Sequence, residues 1–92
     1  MEQAKHGIAF SSGMAAITAV FMTLNKDDHI LSIDDVYGGT NRLMNKILKR
    51  FGLENSMVDF TDINNIEKHI KKNTKMITFE TPTNPLLKIV DI

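Results

Sequence analysis

The order of apolar and polar positions predicts that helices and strands alternate along the chain. Residues 14–24 are almost continuously apolar and rich in Ala and Met, which favours a buried helix with Ser11 or Ser12 as its N-cap. Residues 29–33 form a short apolar run after a polar turn, as is typical of a buried strand. Further strands are predicted at residues 56–60 and 75–80.

Two amphipathic helices are predicted between these strands. Asp34 or Asp35 is placed to cap the first helix, and Gly52 fits the position that ends it. The apolar side chains of this helix recur at helical spacing, at Leu43, Ile47, Leu48 and Phe51. The second helix is predicted at residues 63–72. This alternation indicates an α/β fold with a mostly parallel sheet and crossover helices.

Composition narrows the possible functions. The 92 residues are enough for one small domain. Eleven basic and eleven acidic residues leave a formal net charge of zero, so no basic field attracts nucleic acid or an anionic membrane. No apolar run is long enough to span a membrane and no secretory leader begins the chain, so we expect a cytoplasmic protein without membrane or nucleic-acid partners. Cysteine is absent and the three histidines have no ligand spacing, so no metal site is predicted.

Residues 11–16, with the sequence SSGMAA, have the pattern of a phosphate site. Gly13 lets the backbone approach a ligand closely at the corner before the helix. The first turn of that helix offers free N–H groups and the positive end of the helix dipole. An ordinary capped helix has the same pattern and is the commoner explanation when this segment is taken alone.

Residues 34–42 and 80–85 follow predicted strands, where ligands of open α/β sheets bind. Tyr37 is the only tyrosine, and it can stack on a flat ring or simply pack a loop. Arg42 can bind a carboxylate with its two-pronged guanidinium, although a solvated surface arginine is the commoner case. Two prolines stiffen residues 80–85 and can aim Asn84 at a ligand, unless the segment is only a structural turn.

The segments 11–16 (SSGMAA), 34–42 (DDVYGGTNR) and 80–85 (ETPTNP), in this order and spacing, resemble the cystathionine γ-lyase and γ-synthase family. These are enzymes of cysteine and methionine metabolism that use pyridoxal 5′-phosphate (PLP). The resemblance covers essentially the whole chain and continues through residues 87–92. It implies that residues 1–92 are a part of the large PLP-binding domain of the aspartate-aminotransferase-like fold, fold type I.

The resemblance also implies a role for each candidate residue. The backbone amides of Gly13 and Met14 would hold the phosphate of PLP. Asn84 would hydrogen-bond the phenolic oxygen of the PLP ring. Tyr37 would stack over the pyridine ring and contact the substrate, and Arg42 would bind the substrate.

The function that the resemblance implies is a PLP-dependent carbon–sulfur lyase, most like cystathionine γ-lyase, which cleaves cystathionine to cysteine in trans-sulfuration. The alternatives are a relative of cystathionine γ-synthase or methionine γ-lyase, or a non-catalytic remnant that binds PLP or docks on a homologue. The substrate would be a sulfur amino acid, and the full-length relatives would be homotetramers.

Two parts of the family's active site have no counterpart in these 92 residues. None of the lysines lies in the sequence context of the family's Schiff-base lysine, and the aspartate that partners the pyridinium nitrogen is also missing. Glu80 would shape its loop rather than take part in the chemistry. No catalytic residue is therefore predicted within the chain, and we expect the chain by itself to be inactive.

Overall fold

The computed structural model describes residues 3–90. In chain order the elements are α1 (Gly13–Phe21), β1 (His29–Ile33), α2 (Gly38–Arg42), a π-helical turn (Leu43–Ile47), a 3₁₀ turn (Leu48–Phe51), β2 (Glu54–Val58), α3 (Ile63–His69) and β3 (Thr74–Thr78). The predicted alternation of helix and strand is confirmed. Residues 91 and 92, the end of the segment through which the resemblance continues, lie outside the described range.

The three strands form one parallel sheet with the order β2-β1-β3. His29 of β1 pairs with Glu54 of β2 and with Thr74 of β3, so the carboxyl ends of all three strands lie at one edge. β1 is central, and all of its residues are buried. Because parallel neighbours need crossover connections, α2 with its two turns joins β1 to β2, and α3 joins β2 to β3.

Apolar side chains cover both faces of the sheet, as a parallel sheet requires. The core on the face that α1 and α2 cover contains Phe21, Ile30, Leu43, Met44, Leu48 and Leu53. The core on the opposite face contains Leu31, Ile33, Val58, Phe60 and Val90. Ile66 of α3 packs against this second cluster. Two helical layers therefore hold the sheet, and its edge remains available for a site.

Ser12 fixes the start of α1, as predicted. Its backbone is extended, and its hydroxyl accepts a hydrogen bond from the N–H of Ala15 at 3.0 Å. Residues 7–10, which precede this corner, form no strand and are exposed. The helix ends at Phe21 rather than at residue 24, because the next turn closes with i→i+3 hydrogen bonds.

The prediction that Asp34 or Asp35 caps α2 is wrong. The helix begins at Gly38, and Tyr37 in the N-cap position makes no side-chain capping bond. The two aspartate carboxylates instead accept hydrogen bonds from residues 81–90. These partners lie about half the chain away, so the local pattern around the aspartates does not reveal them.

The buried face after α2 also differs from the prediction. Leu43 and Leu48 are buried as expected, whereas Ile47 and Phe51 are exposed. The N–H of Leu48 bonds to the carbonyl of Leu43, five residues earlier, so the 3.6-residue period of the prediction is lost. Gly52 ends the segment with φ of 82°, in the left-handed C-cap position that was predicted.

The remaining elements occur where predicted, but their ends differ. β2 (Glu54–Val58) begins two residues before the predicted strand 56–60, because its register with β1 sets its limits. β3 (Thr74–Thr78) is likewise shorter than residues 75–80. α3 ends at His69 rather than residue 72.

Candidate functional site

A pocket of about 490 Å³ opens at the edge of the sheet where β1 and β3 end. It brings together four predicted site residues, Gly13, Met14, Tyr37 and Asn84. Ser12, Ile17, Thr40 and Glu80 complete its lining. Another pocket, of about 550 Å³, opens near the start of β2 and contains none of the predicted site residues. The sequence prediction therefore selects the first pocket rather than the larger one.

The first turn of α1 presents two backbone N–H groups to this pocket. Ser12 uses its side chain and its carbonyl to bind the N–H groups of Ala15 and Ala16. The N–H groups of Gly13 and Met14 have no hydrogen-bond partner among residues 3–90. A Cβ at Gly13 would meet no atom within 4 Å. Two adjacent donors, the positive end of a nine-residue helix and open space form a cradle that suits an anion.

Tyr37 places an aromatic ring at the same pocket. The side chain is 52% exposed and lies close to Gly39, where an added Cβ would be 2.8 Å from the Cε1 atom of the tyrosine ring. The same Cβ would be 3.0 Å from the Sδ atom of Met14. The absence of a Cβ at Gly39 therefore gives the Tyr37 ring its clearance.

Glu80 holds the backbone of Tyr37. Its Oε1 atom accepts a hydrogen bond from the Tyr37 N–H at 2.9 Å, so the loop after β3 is tied to the loop after β1. The sequence led us to expect that Glu80 shapes its own loop, whereas this contact supports the loop that carries Tyr37. It also occupies one oxygen of the acidic side chain that lines the pocket.

Thr40 and Ile17 line the pocket but were not singled out in the sequence. Thr40 is buried, and its hydroxyl donates to the Sδ atom of Met14 at 3.9 Å. A signal was present in each case: Thr40 is three residues after Tyr37 and Ile17 is three residues after Met14. Residues three apart lie on the same face of a helix, so each shares the face of a predicted site residue.

Asn84 is presented by the loop that follows β3. Thr83, immediately before it, is fully buried and donates its hydroxyl proton to Asp35. The N–H of Leu86 donates to the same carboxylate at 2.9 Å. Asn84 itself is exposed and lines the pocket. The loop is therefore fixed on both sides of the residue that it presents.

An ion pair closes the far end of this loop. The Nζ atom of Lys88 lies 3.1 Å from Asp34 Oδ1 and 3.9 Å from Asp59 Oδ1. The hydrogen bond with Asp34 raises the pKa of Lys88 above its usual value of 10.5. Hydrogen bonds from the side chain and backbone of Thr61 lower the pKa of Asp59. The pair is partly exposed to solvent, so its contribution to stability is small.

Arg42 is not brought to the pocket. It is exposed at the end of α2 and is absent from the lining, so its proposed role in substrate binding stays a prediction. Within residues 3–90 no group of three or more His, Cys, Asp or Glu side chains is arranged to hold a metal ion. None of the helices in this range has the length and apolar character that a membrane span requires.

Known proteins with a similar sequence point to one family. The family model described as Cys/Met metabolism PLP-dependent enzyme matches residues 1–92. Cystathionine gamma-lyase of Bacillus subtilis is 56% identical over 92 residues, which are 100% of this chain and 24% of that protein. Cystathionine beta-lyase of Lactococcus lactis subsp. cremoris is 48% identical over the same shares. The chain belongs to the PLP-dependent enzymes of cysteine and methionine metabolism.

Solved structures of relatives have the same fold. The crystal structure of metB from Corynebacterium glutamicum matches with a TM-score of 0.96 at 47% identity, over 98% of this chain and 24% of that one. Cystathionine gamma-lyase from Lactobacillus plantarum, complexed with L-serine, matches with a TM-score of 0.86 at 49% identity, over 88% of this chain and 21% of that one. The predicted fold, a part of the aspartate-aminotransferase-like fold type I, is confirmed.

Family membership also confirms the predicted cofactor, PLP. The chain spans about a quarter of the length of the relatives that it matches. Gamma-lyase and beta-lyase names both occur among these relatives, so the family does not choose between the two reactions.

The residues around the pocket fit PLP. The free N–H groups of Gly13 and Met14 suit a phosphate, and the half-exposed ring of Tyr37 suits an aromatic heterocycle. The side-chain amide of Asn84 can donate to a ring oxygen. All four groups line one pocket, and together they match three parts of the cofactor: the phosphate, the ring and the ring oxygen.

Proposed function

We propose that the pocket at the ends of β1 and β3 binds PLP. Gly13 and Met14 donate their backbone N–H groups to the phosphate, and the dipole of α1 adds a favourable field. Tyr37 stacks on the pyridine ring, and Asn84 donates to the ring oxygen. The observation that carries this proposal is the convergence of these four groups, from three separate segments, on one pocket of about 490 Å³.

The part of the chain in catalysis is to bind and orient the cofactor. When bound, PLP supplies an electron sink for chemistry at the α-carbon of an amino acid. The stacked Tyr37 covers one face of the ring and limits the access of water there. Asn84 fixes the rotation of the ring in its plane, because its hydrogen bond is directional.

The finer functional predictions belong to the whole protein and are proposals. We propose that residues 1–92 are a part of the large PLP-binding domain and that the substrate is a sulfur amino acid. The reaction proposed is the cystathionine γ-lyase reaction of trans-sulfuration, in a cytoplasmic homotetramer. Arg42 is the proposed partner of the substrate carboxylate, through a bidentate contact. The cystathionine gamma-lyase and beta-lyase relatives support a carbon–sulfur lyase.

A second candidate function is PLP binding without catalysis by this chain. The observation that favours it is the composition of the pocket, whose lining includes no lysine. The chain would then present the phosphate cradle, the aromatic ring and the amide without a covalent anchor.

One titration with two readouts tests both candidates. Tyr37 is the only tyrosine and the chain has no tryptophan, so its fluorescence reports on the pocket alone. We expect PLP to quench this fluorescence in a saturable way and inorganic phosphate to compete. Quenching that phosphate does not relieve would contradict the proposed pocket.

The second readout is borohydride reduction followed by peptide mass mapping. We expect no stoichiometric adduct at any one lysine of the 92-residue chain. A stoichiometric adduct at a single lysine would show that the chain carries its own covalent anchor. The non-catalytic candidate would then lose the observation that favours it.

A further inference from the structure

Asp35 is a buried carboxylate without a role in the functions described so far. It follows β1 by two residues and is 8% exposed. Its Oδ2 atom accepts hydrogen bonds from the Thr83 hydroxyl and from the N–H of Leu86, the latter at 2.9 Å. Both donors belong to the loop after β3, about fifty positions along the chain. Asp35 therefore fixes a loop other than its own.

Thr83 is the centre of the contacts that fold this loop. It is 0% exposed, and its backbone N–H donates to the carbonyl of Lys88 at 2.9 Å. Its hydroxyl accepts from the N–H of Lys88 at 2.7 Å, and its carbonyl accepts from the N–H of Leu87 at 3.0 Å. Its hydroxyl proton is donated to Asp35. Because an unpaired buried donor is costly, Asp35 is the acceptor that completes this arrangement.

The contacts of Asp35 bracket Asn84. Thr83 is the residue before Asn84, and Leu86 is two residues after it. The side chain of Asn84 makes no hydrogen bond with any residue in the range 3–90. Its orientation in the pocket therefore depends on its backbone, which the two hydrogen bonds to Asp35 hold in place.

We propose that Asp35 is a positioning residue that holds Asn84 toward the ring oxygen of the cofactor. The proposal rests on the proposed function, in which Asn84 contacts PLP. The two loops support each other. Glu80 in the loop after β3 accepts, through Oε1, a hydrogen bond from the N–H of Tyr37 in the loop after β1, at 2.9 Å. Each loop thus carries one ring-binding residue and the carboxylate that positions the other.

The neighbouring Asp34 provides a matched control for substitutions of Asp35. It lies on the same loop and also contacts the loop after β3, through its 3.1 Å ion pair with Lys88. Asp34 is exposed, and Lys88 is four residues from Asn84. An Asp34→Ala substitution removes a carboxylate and a loop contact without removing the contacts that bracket Asn84.

Nuclear magnetic resonance of the ¹⁵N-labelled 92-residue chain separates these roles. The probe is pyridoxine 5′-phosphate, which keeps the phosphate and the ring hydroxyl but has no aldehyde to react with lysines. In the unsubstituted chain we expect shifts of the Gly13 and Met14 amides and of the Asn84 side-chain amide. Asp35→Ala should lose the Asn84 shift and keep the other two. The dissociation constant should rise about ten-fold, as expected for the loss of one hydrogen bond.

Two further variants distinguish positioning from a general loss of structure. Asp35→Asn should restore the Asn84 shift, because its Oδ1 atom can accept both hydrogen bonds. Asp34→Ala should keep all three shifts. If Asp35→Ala does not fold, Thr83→Val removes the hydroxyl at nearly constant shape and should lose the same Asn84 shift. Retention of the Asn84 shift in Asp35→Ala, or its equal loss in Asp34→Ala, would overturn the proposal.

An unliganded readout keeps this test independent of the proposed function. If the probe shifts neither Gly13 nor Met14 in the unsubstituted chain, the proposed cofactor site fails. Amide hydrogen exchange at Leu86 then tests Asp35 alone. Slow exchange in the unsubstituted chain and in Asp34→Ala, with fast exchange in Asp35→Ala, supports the positioning of the loop. Equal rates in all three would overturn it.

Discussion

Gly13 occupies the first position of α1, one of the few places where proline is compatible with a helix. Its N–H has no partner among residues 3–90, and Ser12 before it has the extended backbone that a residue before proline requires. Gly13→Pro should therefore keep the fold and remove one donor to the phosphate. We expect the dissociation constant for PLP to rise roughly thirty-fold, for the loss of about 2 kcal/mol from a hydrogen bond to a charged group.

Gly13→Ala is the control for this substitution. It adds a Cβ as proline does, in open space, but it keeps the N–H group. Fluorescence titration of Tyr37 measures both dissociation constants. Equal losses of affinity in the two variants would assign the effect to the added atoms and contradict a role for the N–H group.

A second residue-scale prediction concerns the two glycines after Tyr37. A Cβ at Gly39 would lie 2.8 Å from the Tyr37 ring, whereas a Cβ at Gly38 would meet nothing within 4 Å. Gly39→Ala should displace the ring and weaken PLP binding about five-fold, for the loss of roughly 1 kcal/mol of aromatic stacking. The readouts are the quenching of Tyr37 fluorescence and the dissociation constant.

Gly38→Ala supplies the comparison, because both glycines lie in α2 and alanine is the better helix former at each. It should retain the affinity of the unsubstituted chain and unfold at the same or a higher urea concentration. If Gly38→Ala weakens PLP binding as much as Gly39→Ala, the clearance argument for Tyr37 is wrong.

At the scale of elements, the sequence predicted the type and order of the helices and strands but not how α2 begins. Asp34 and Asp35 have the residue types of a helix cap, but their carboxylates bind the loop after β3. Ile47 and Phe51 fit a regular helical face, which the π-helical turn then displaces. Both errors have a physical cause outside the local pattern: distant partners in one case and a change of helical period in the other.

The candidate site was likewise predicted where local patterns were sufficient and missed where distant contacts decide. Gly13 could be found from the N-cap serines and the helix that follows it. Tyr37 and Asn84 could be found because they follow strands. In a parallel sheet these positions meet at one edge, so local signals were sufficient. The support from Asp35 and Glu80 could not be found, because it depends on contacts between segments about fifty residues apart.

His29 links all three strands and makes their association sensitive to pH. It is fully buried in β1, with Nδ1 2.6 Å from Thr74 Oγ1 of β3 and Nε2 2.8 Å from Ser56 Oγ of β2. Burial, and then the positive charge of Lys71, lower the pKa of His29 below 6.5, and Glu54 opposes this only partly. The folded chain therefore binds this proton less readily than the unfolded chain.

The free energy of unfolding should accordingly fall as the pH drops from 6.5 toward the lower pKa of folded His29. The contribution of neutral His29 to the free energy of unfolding is fully present above pH 6.5. Urea unfolding between about pH 5 and pH 7.5 measures this, in a range where Asp59, with its lowered pKa, stays ionised.

His69→Gln is the control, because His69 is exposed on α3 and contacts only its own helix. The variant should keep the same dependence of unfolding free energy on pH. The imidazole resonances of His29 should titrate with a midpoint below 6.5. A midpoint at or above this value would contradict the assignment of the pH dependence to burial of His29.

At the scale of the whole molecule, the chain exposes more surface than a folded protein of its mass. Its accessible surface is 6737 Å², whereas an average monomer of 10.4 kDa exposes roughly 5,400 Å². Part of the exposed apolar area lies on β3, an edge strand of the described sheet. Ile77 in this strand is 47% exposed, and an edge strand also presents unpaired N–H and carbonyl groups. The 92-residue chain should therefore self-associate through β3.

Ile77→Thr tests this expectation, because threonine keeps a high strand propensity and removes apolar area from the edge. It should weaken self-association about ten-fold, since the lost apolar contact is worth roughly 1.4 kcal/mol. The free energy of unfolding should change by about 0.5 kcal/mol or less, as for other surface substitutions. Ile63→Thr makes the same change at an isoleucine that is 61% exposed on α3, outside β3, and should leave self-association unaltered. Sedimentation velocity over a range of concentrations distinguishes the variants. A single monomeric species of the unsubstituted chain at every concentration, or an equal effect of the two substitutions, would show that the β3 edge does not drive association.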